Sequence, residues 1–234
     1  MSYIISSVKN NNGSERYIGG KAKTLIGLKD LGFNVPDFFV ISSDIQNITL
    51  IQNDIHRAYD DLGGLVAVRS SAVGEDGVVK SFAGQYKSVL NVSKERLIES
   101  IKECIKSLNT DHALAYSQNN AIGKMAVIIQ KMVSADISGV AFSVDPVRND
   151  ESVMVIESVN GPCELLVSGT TTPDHYVVRK NNISESDIPD DIKRVAKISL
   201  EIENKLGYFA DIEWAISNND LHILQARPIT TLKS

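Results

Sequence analysis

Two runs near the end of the chain, Asp211-Ile212-Glu213-Trp214 and Leu224-Gln225-Ala226-Arg227-Pro228, alternate polar with apolar residues. That is the period of a strand with one buried face. Between them lies a turn-forming cluster, Asn218-Asn219-Asp220, so the segment is expected to fold as a hairpin. With those three residues as the loop, Ser217 pairs with Leu221, Glu213 falls opposite Gln225, and Asp211 falls opposite Arg227. Ile212, Trp214, Leu224 and Ala226 then point to a core, with His222 beside Trp214 and Ile216. The opposite face gathers two carboxylates, an amide oxygen and a guanidinium within cross-strand reach. Hard oxygens beside an arginine suit a magnesium ion on the phosphates of a nucleotide. A solvent-facing hairpin with one cross-strand ion pair fits the same pattern.

A chain of 234 residues can bury enough surface for one domain or two lobes. The net charge of −5 argues against a general nucleic-acid or membrane surface role, without excluding a local basic pocket. Cys104 and Cys163 are too few for a disulfide framework, and a reduced cytoplasmic setting is expected. No apolar run is long enough to span a bilayer, and the first residues lack the character of a signal peptide.

Strands and amphipathic helices alternate along the chain. Helices are expected over 22–31, 44–62, 94–108 and about 189–206, the last with Pro189 early and Gly207 just past its end. Strands are expected at Phe38 to Ile41, Leu65 to Val68, Tyr86 to Val92, Met125 to Val133, Gly139 to Val144, Val153 to Val159 and Tyr176 to Arg179. This divides the chain into an N-terminal lobe, 1–124, and a C-terminal lobe, 125–234, joined at Ala121-Ile122-Gly123-Lys124.

Other segments could handle an anion. Gly19-Gly20-Lys21 precedes a helix, where glycines allow close backbone approach, the helix start has free N–H groups and Lys21 adds a charge. A simple turn reads the same way, and the Walker A spacing is absent. Arg69-Ser70-Ser71-Ala72 leaves a buried strand; its arginine could face a site or satisfy loop carbonyls. The polar, glycine-containing stretch after it, Gly74 through Gln85, reads as a mobile loop able to close over a ligand. Gln130-Lys131-Met132-Val133 ends another strand and could offer backbone groups to an adenine edge. No GxSxG, HExxH or CxxC occurs, and His56, His112, His175 and His222 are scattered singly.

In order, the chain reads Gly19-Gly20-Lys21-Ala22, Val35-Pro36-Asp37-Phe38, Val68-Arg69-Ser70-Ser71-Ala72 and Ser81-Phe82-Ala83-Gly84-Gln85. It continues with Gln130-Lys131-Met132-Val133, Ser138-Gly139-Val140-Ala141-Phe142, Thr172-Pro173-Asp174 and the closing hairpin. This resembles the N-terminal ATP-binding domain of phosphoenolpyruvate synthase and pyruvate phosphate dikinase, shared by rifampin phosphotransferase and the glutamine kinase of capsule synthesis. The resemblance implies an α+β ATP-grasp fold, two lobes of mostly antiparallel sheet with flanking helices, holding ATP and magnesium between them. Carried over by position, Lys21 and Arg69 would contact the phosphates and Gly84 would lie over the nucleotide, with Ser88 where the family usually has a threonine. Gln130, with Met132 and Val133, would stand at the adenine and ribose side. Glu213 and Gln225 would hold magnesium, and Arg227 would act on the transferring phosphates.

The family usually reads GLGE where this chain has Gly161-Pro162-Cys163-Glu164. The sequence also ends soon after Arg227-Pro228, without a swivelling phosphohistidine domain or an acceptor domain. The resemblance therefore implies an ATP-dependent phosphotransferase performing a half-reaction, with the β-phosphoryl passed to a histidine on a separate domain or protein and AMP and phosphate released. Direct phosphorylation of a small metabolite and a non-catalytic nucleotide-binding module remain the alternatives.

Overall fold

The computed structural model describes residues 3–6, 17–73, 88–107, 124–163, 171–230 and 232. Gly84, the loop expected over 74–85, the connection 121–123 and Glu164 lie outside the described residues. The chain forms two compact units: Met1–Ile26 with Pro36–Met132, and Gly27–Val35 with Val133–Ser234.

The first unit is built on an antiparallel sheet of β1 (Ile4–Ser6), β2 (Phe38–Ile41), β3 (Val66–Ala72), β4 (Ser88–Val92) and β5 (Met125–Lys131). Its spatial order is β1-β2-β5-β3-β4. The boundary expected after residue 124 differs from this division. β5 pairs with both β2 and β3, and its run Val127-Ile128-Ile129 is fully buried, so it belongs to the interior of the first sheet. One face of that sheet is covered by α2 (Gln52–Leu62) and α3 (Leu97–Lys106). Ile55 and Tyr59, and Leu97, Ile101 and Cys104, meet Val66, Val68, Val127 and Ile129 in one core cluster.

The helix expected over 44–62 is a 3-10 turn, Ile48–Ile51, followed by α2. Asn47 sets its start, because the side chain accepts the Thr49 N–H at 3.0 Å and ties up a donor the first turn cannot satisfy. Gly63, at φ 65°, ends α2.

The second unit holds β6 (Ile137–Phe142), β7 (Val153–Asn160), β8 (Asp174–Arg179), β9 (Ala210–Ser217) and β10 (Asp220–Pro228), in the antiparallel order β10-β9-β6-β7-β8. Its last helix, α4 (Asp190–Leu206), packs on β6, β7 and β9. Ile192, Val195, Ala196, Ser199 and Ile202 form its buried stripe, the spacing of an amphipathic helix. Asp190 and Asp191 in its first turn and Lys205 in its last complement the helix dipole, and Gly207, at φ 74°, closes it through an N–H to the Glu203 carbonyl.

Trp214 is fully buried beneath this layer. Its neighbour across the sheet is Gly139, where a Cβ would collide with the Glu157 carbonyl oxygen and sit 2.9 Å from the Trp214 ring. The SGVAF segment needs its glycine because the indole and a backbone occupy that volume. No helix among the described residues is long and apolar enough to cross a membrane.

Candidate functional site

The hairpin of β9 and β10 forms, by a route that differs from simple counting. Its loop is two residues, Asn218 and Asn219, at φ 49° and 68°, with Ser217 paired to Asp220. Two consecutive left-handed residues make the type I′ turn that matches strand twist, and asparagine tolerates that conformation. The shorter loop puts Ile223 opposite Trp214 and His222 opposite Ala215. A β-bulge at Leu224 then absorbs one residue, and Gln225 returns to a place across from Glu213, with Arg227 across from Asp211.

These two pairs are those expected from alternation, but two assignments near the tip change. Ile223, 3% exposed, takes the core position expected for Leu224, and His222 sits on the Glu213 side rather than beside Trp214. Burial lowers the pKa of the His222 imidazole, and its Nδ1 has no hydrogen-bond partner among the described residues.

The polar face continues across the sheet. Val140 of β6 lies opposite Glu213, Glu157 of β7 opposite Val140, and His175 of β8 opposite Glu157. Asp211 is 8% exposed, and both Nε and Nη2 of Arg227 reach its Oδ2, at 2.7 and 2.6 Å. Burial raises the Asp211 pKa, while the Arg227 charge and hydrogen bond oppose the rise. The geometry favours the ionised carboxylate, since a protonated oxygen would not draw in two guanidinium donors. Asp211 thereby fixes the orientation of Arg227. The alternation that located Arg227 also pointed to Asp211; what it did not convey was that this carboxylate is buried and committed to the arginine.

Among the described residues no group of three or more His, Cys, Asp or Glu side chains is placed to hold a metal. The hairpin instead offers neighbouring carboxylate and amide oxygens, from Glu213 and from Gln225, which is 6% exposed. Such a set suits magnesium, which takes few protein ligands and fills its octahedron with water and phosphate oxygens.

In the first unit, Arg69 of β3 lies opposite Ser88 of β4 and Ile128 of β5. Gln130, 2% exposed, pairs with Ala67, so it is a diagonal neighbour of Arg69 on the same face. Lys21 stands in the first turn of α1 (Gly19–Asp30), which begins three positions earlier than expected and takes Gly19-Gly20-Lys21 into the helix. The Ala22 N–H is not free, because it donates to Ser71 Oγ. At the end of β5 the Lys131 N–H donates to the Asp37 carbonyl and the Met132 N–H to the Leu65 carbonyl, each at 2.9 Å. Met132 is thus left with its carbonyl, rather than its N–H, to present to a ligand. Val133 opens the second unit's run.

Two antiparallel five-stranded sheets with helices packed on them make the chain an α+β protein. Its sequence matches the pyruvate phosphate dikinase AMP/ATP-binding domain over residues 46–188 and 184–234, and the chain belongs to that family. It is similar to a probable phosphoenolpyruvate synthase of Methanocaldococcus jannaschii, 35% identical over 206 residues that cover 72% of this chain and 17% of the relative. It is also similar to a rifampicin phosphotransferase of Bacillus cereus, 35% identical over 202 residues, covering 71% of this chain and 23% of the relative. The chain therefore spans less than a quarter of either relative. Among solved structures, PH1788 from Pyrococcus horikoshii aligns over 92% of both chains with a TM-score of 0.52 and 11% identity, a likeness of fold alone.

Proposed function

We propose that this chain is the nucleotide-binding part of a magnesium-dependent phosphotransferase, delivering the β-phosphoryl of ATP to a histidine carried on a separate domain or protein. The observation that carries the reading is the hairpin. Glu213 and Gln225 are paired across two strands, and two pairs along, on the same face, Arg227 is held by the buried Asp211. Magnesium there would supply charge neutralisation and a template for the phosphates.

The remaining roles fall to the chain's own side chains. Lys21 and Arg69 bind phosphate oxygens, Ser88 donates a hydroxyl beside Arg69, and Gln130 with Met132 and Val133 recognises the adenine and ribose. Gly84, outside the described residues, would lie over the nucleotide. Arg227 meets the charge that develops during transfer. Overall, one ATP, one water and one histidine give AMP, inorganic phosphate and phosphohistidine: the β-phosphoryl ends on the ring nitrogen and the γ-phosphoryl on water. The chain's work is positioning and electrostatics, so loss of one such cation should lower turnover by about a hundredfold or more.

The experiment is to incubate the chain with ATP and magnesium, with and without a phosphohistidine domain from a relative, and to follow AMP. AMP that depends on the partner and disappears in Arg227→Ala, while ATP binding is largely kept, supports the reading. Nucleotide binding with no AMP under any condition would leave a binding module. AMP or ADP formed with a small metabolite alone would redirect the assignment to a stand-alone kinase.

A further inference from the structure

The described residues contain one contact that joins two of the proposed phosphate-binding groups through a third residue. Ser71 is fully buried. Its hydroxyl donates to the Ile18 carbonyl at 2.8 Å and accepts the Ala22 N–H at 3.2 Å. Those two backbone groups flank Gly19, Gly20 and Lys21, so one hydroxyl ties both ends of the turn that carries Lys21.

Ser71 is also two residues beyond Arg69 on β3, hence on the same face of the strand. β3 itself is paired on both edges, with β4 and β5, and offers a fixed base. Gly19 confirms how closely turn and strand approach. It sits at φ +72°, and a Cβ there would strike the Ser71 carbonyl and lie 2.5 Å from Ser71 Oγ and 2.7 Å from the Ala72 carbonyl.

We propose that Ser71 is a positioning residue that locks the Lys21 turn onto the Arg69 strand, so that the two cations meet the nucleotide's phosphates as one pre-set pair. The inference rests on the reading of Lys21 and Arg69 as phosphate contacts. Without the hydroxyl, the Ala22 N–H and the Ile18 carbonyl lose a shared buried partner, and the turn loses its side-chain tie to β3. Lys21 would keep its charge and lose its registration, which is the loss expected when a supporting contact goes.

Calorimetric titration of the full chain with magnesium-ATP and, separately, with adenosine tests this. Ser71→Ala should weaken ATP about tenfold while leaving adenosine unchanged, and Gly19→Ala, which pushes the turn off the strand, should do the same. The double variant S71A/K21A should bind ATP no more weakly than Lys21→Ala alone, because Ser71 acts through Lys21. A purely structural role would lower thermal stability and leave the ratio of ATP to adenosine affinity at the wild-type value. That result, with Lys21→Ala and Arg69→Ala each reducing the ratio, overturns the inference and spares the phosphate reading. A wild-type ratio in both Lys21→Ala and Arg69→Ala overturns the phosphate reading, and the inference falls with it. Should Ser71→Ala fail to fold, Ser71→Cys, of similar size and with a weaker donor, carries the same comparison.

Discussion

Replacing Asp211 with asparagine should uncouple Arg227 from the hairpin with little change in shape. In the native pair both guanidinium bonds end on one oxygen, at 2.7 and 2.6 Å, and an asparagine oxygen could still accept them. What disappears is the charge. The guanidinium stays charged in the variant and still donates, so what is forgone is the attraction between two opposite charges, roughly 1 kcal/mol in water and roughly 4 near a protein surface. The Arg227 side chain is 38% exposed, and water recovers part of that loss, leaving about 1 kcal/mol.

Urea unfolding of wild type, Asp211→Asn, Arg227→Ala and the double variant measures the coupling directly. A coupling of about 1 kcal/mol is expected. Strict additivity would refute the argument that the charge of Asp211 holds Arg227. A coupling above about 4 kcal/mol would refute the screening step and point to a fully desolvated pair. The pH dependence supplies a second check. With its pKa raised in the folded state, Asp211 favours the native form most below its unfolded value and loses that contribution as pH rises through the folded value. Asp211→Asn should flatten this part of the stability profile.

Gly139→Ala should destabilise the second unit by about 2–4 kcal/mol, since the new methyl meets backbone as well as the Trp214 ring. Fluorescence of Trp214, the single tryptophan, reports on that unit, and a wild-type midpoint would contradict the packing described. His222 has a lowered pKa through burial, so it stabilises the fold in its neutral form. Stability should be full above its unfolded value near pH 6.5 and fall as pH drops toward the folded value, and His222→Gln should remove that acid sensitivity. An unchanged acid limb in the variant would show that His222 is well solvated.

Much of this architecture was legible because burial imposes periodicity. The stripe of Leu97, Ile101 and Cys104 placed α3, and alternation placed Glu213 across from Gln225. The details that escaped depend on contacts between segments distant in sequence. Nothing local shows that Ser71 reaches Ile18 and Ala22, or that Leu65 occupies the Met132 N–H. The start of α1 was expected after Lys21 because two glycines ordinarily break a helix; a hydroxyl from β3 holds the turn instead. The lobe boundary missed β5 for a related reason, since a buried apolar run does not reveal which sheet will take it.

The bulge at Leu224 has a consequence for how this hairpin tolerates change. Between Ser217 and Gln225 the returning strand carries one residue more than the outgoing strand can match, and that surplus behaves like a dislocation in a crystal. Placed at the tip, it would give a three-residue loop; placed at Leu224, it leaves the Asn218-Asn219 turn tight and buries Ile223 against Trp214. Sliding it between those places exchanges the surroundings of His222, Ile223 and Leu224 and stops short of Glu213–Gln225 and Asp211–Arg227. The tip can thus drift in sequence while the polar pairs at the base keep their phase.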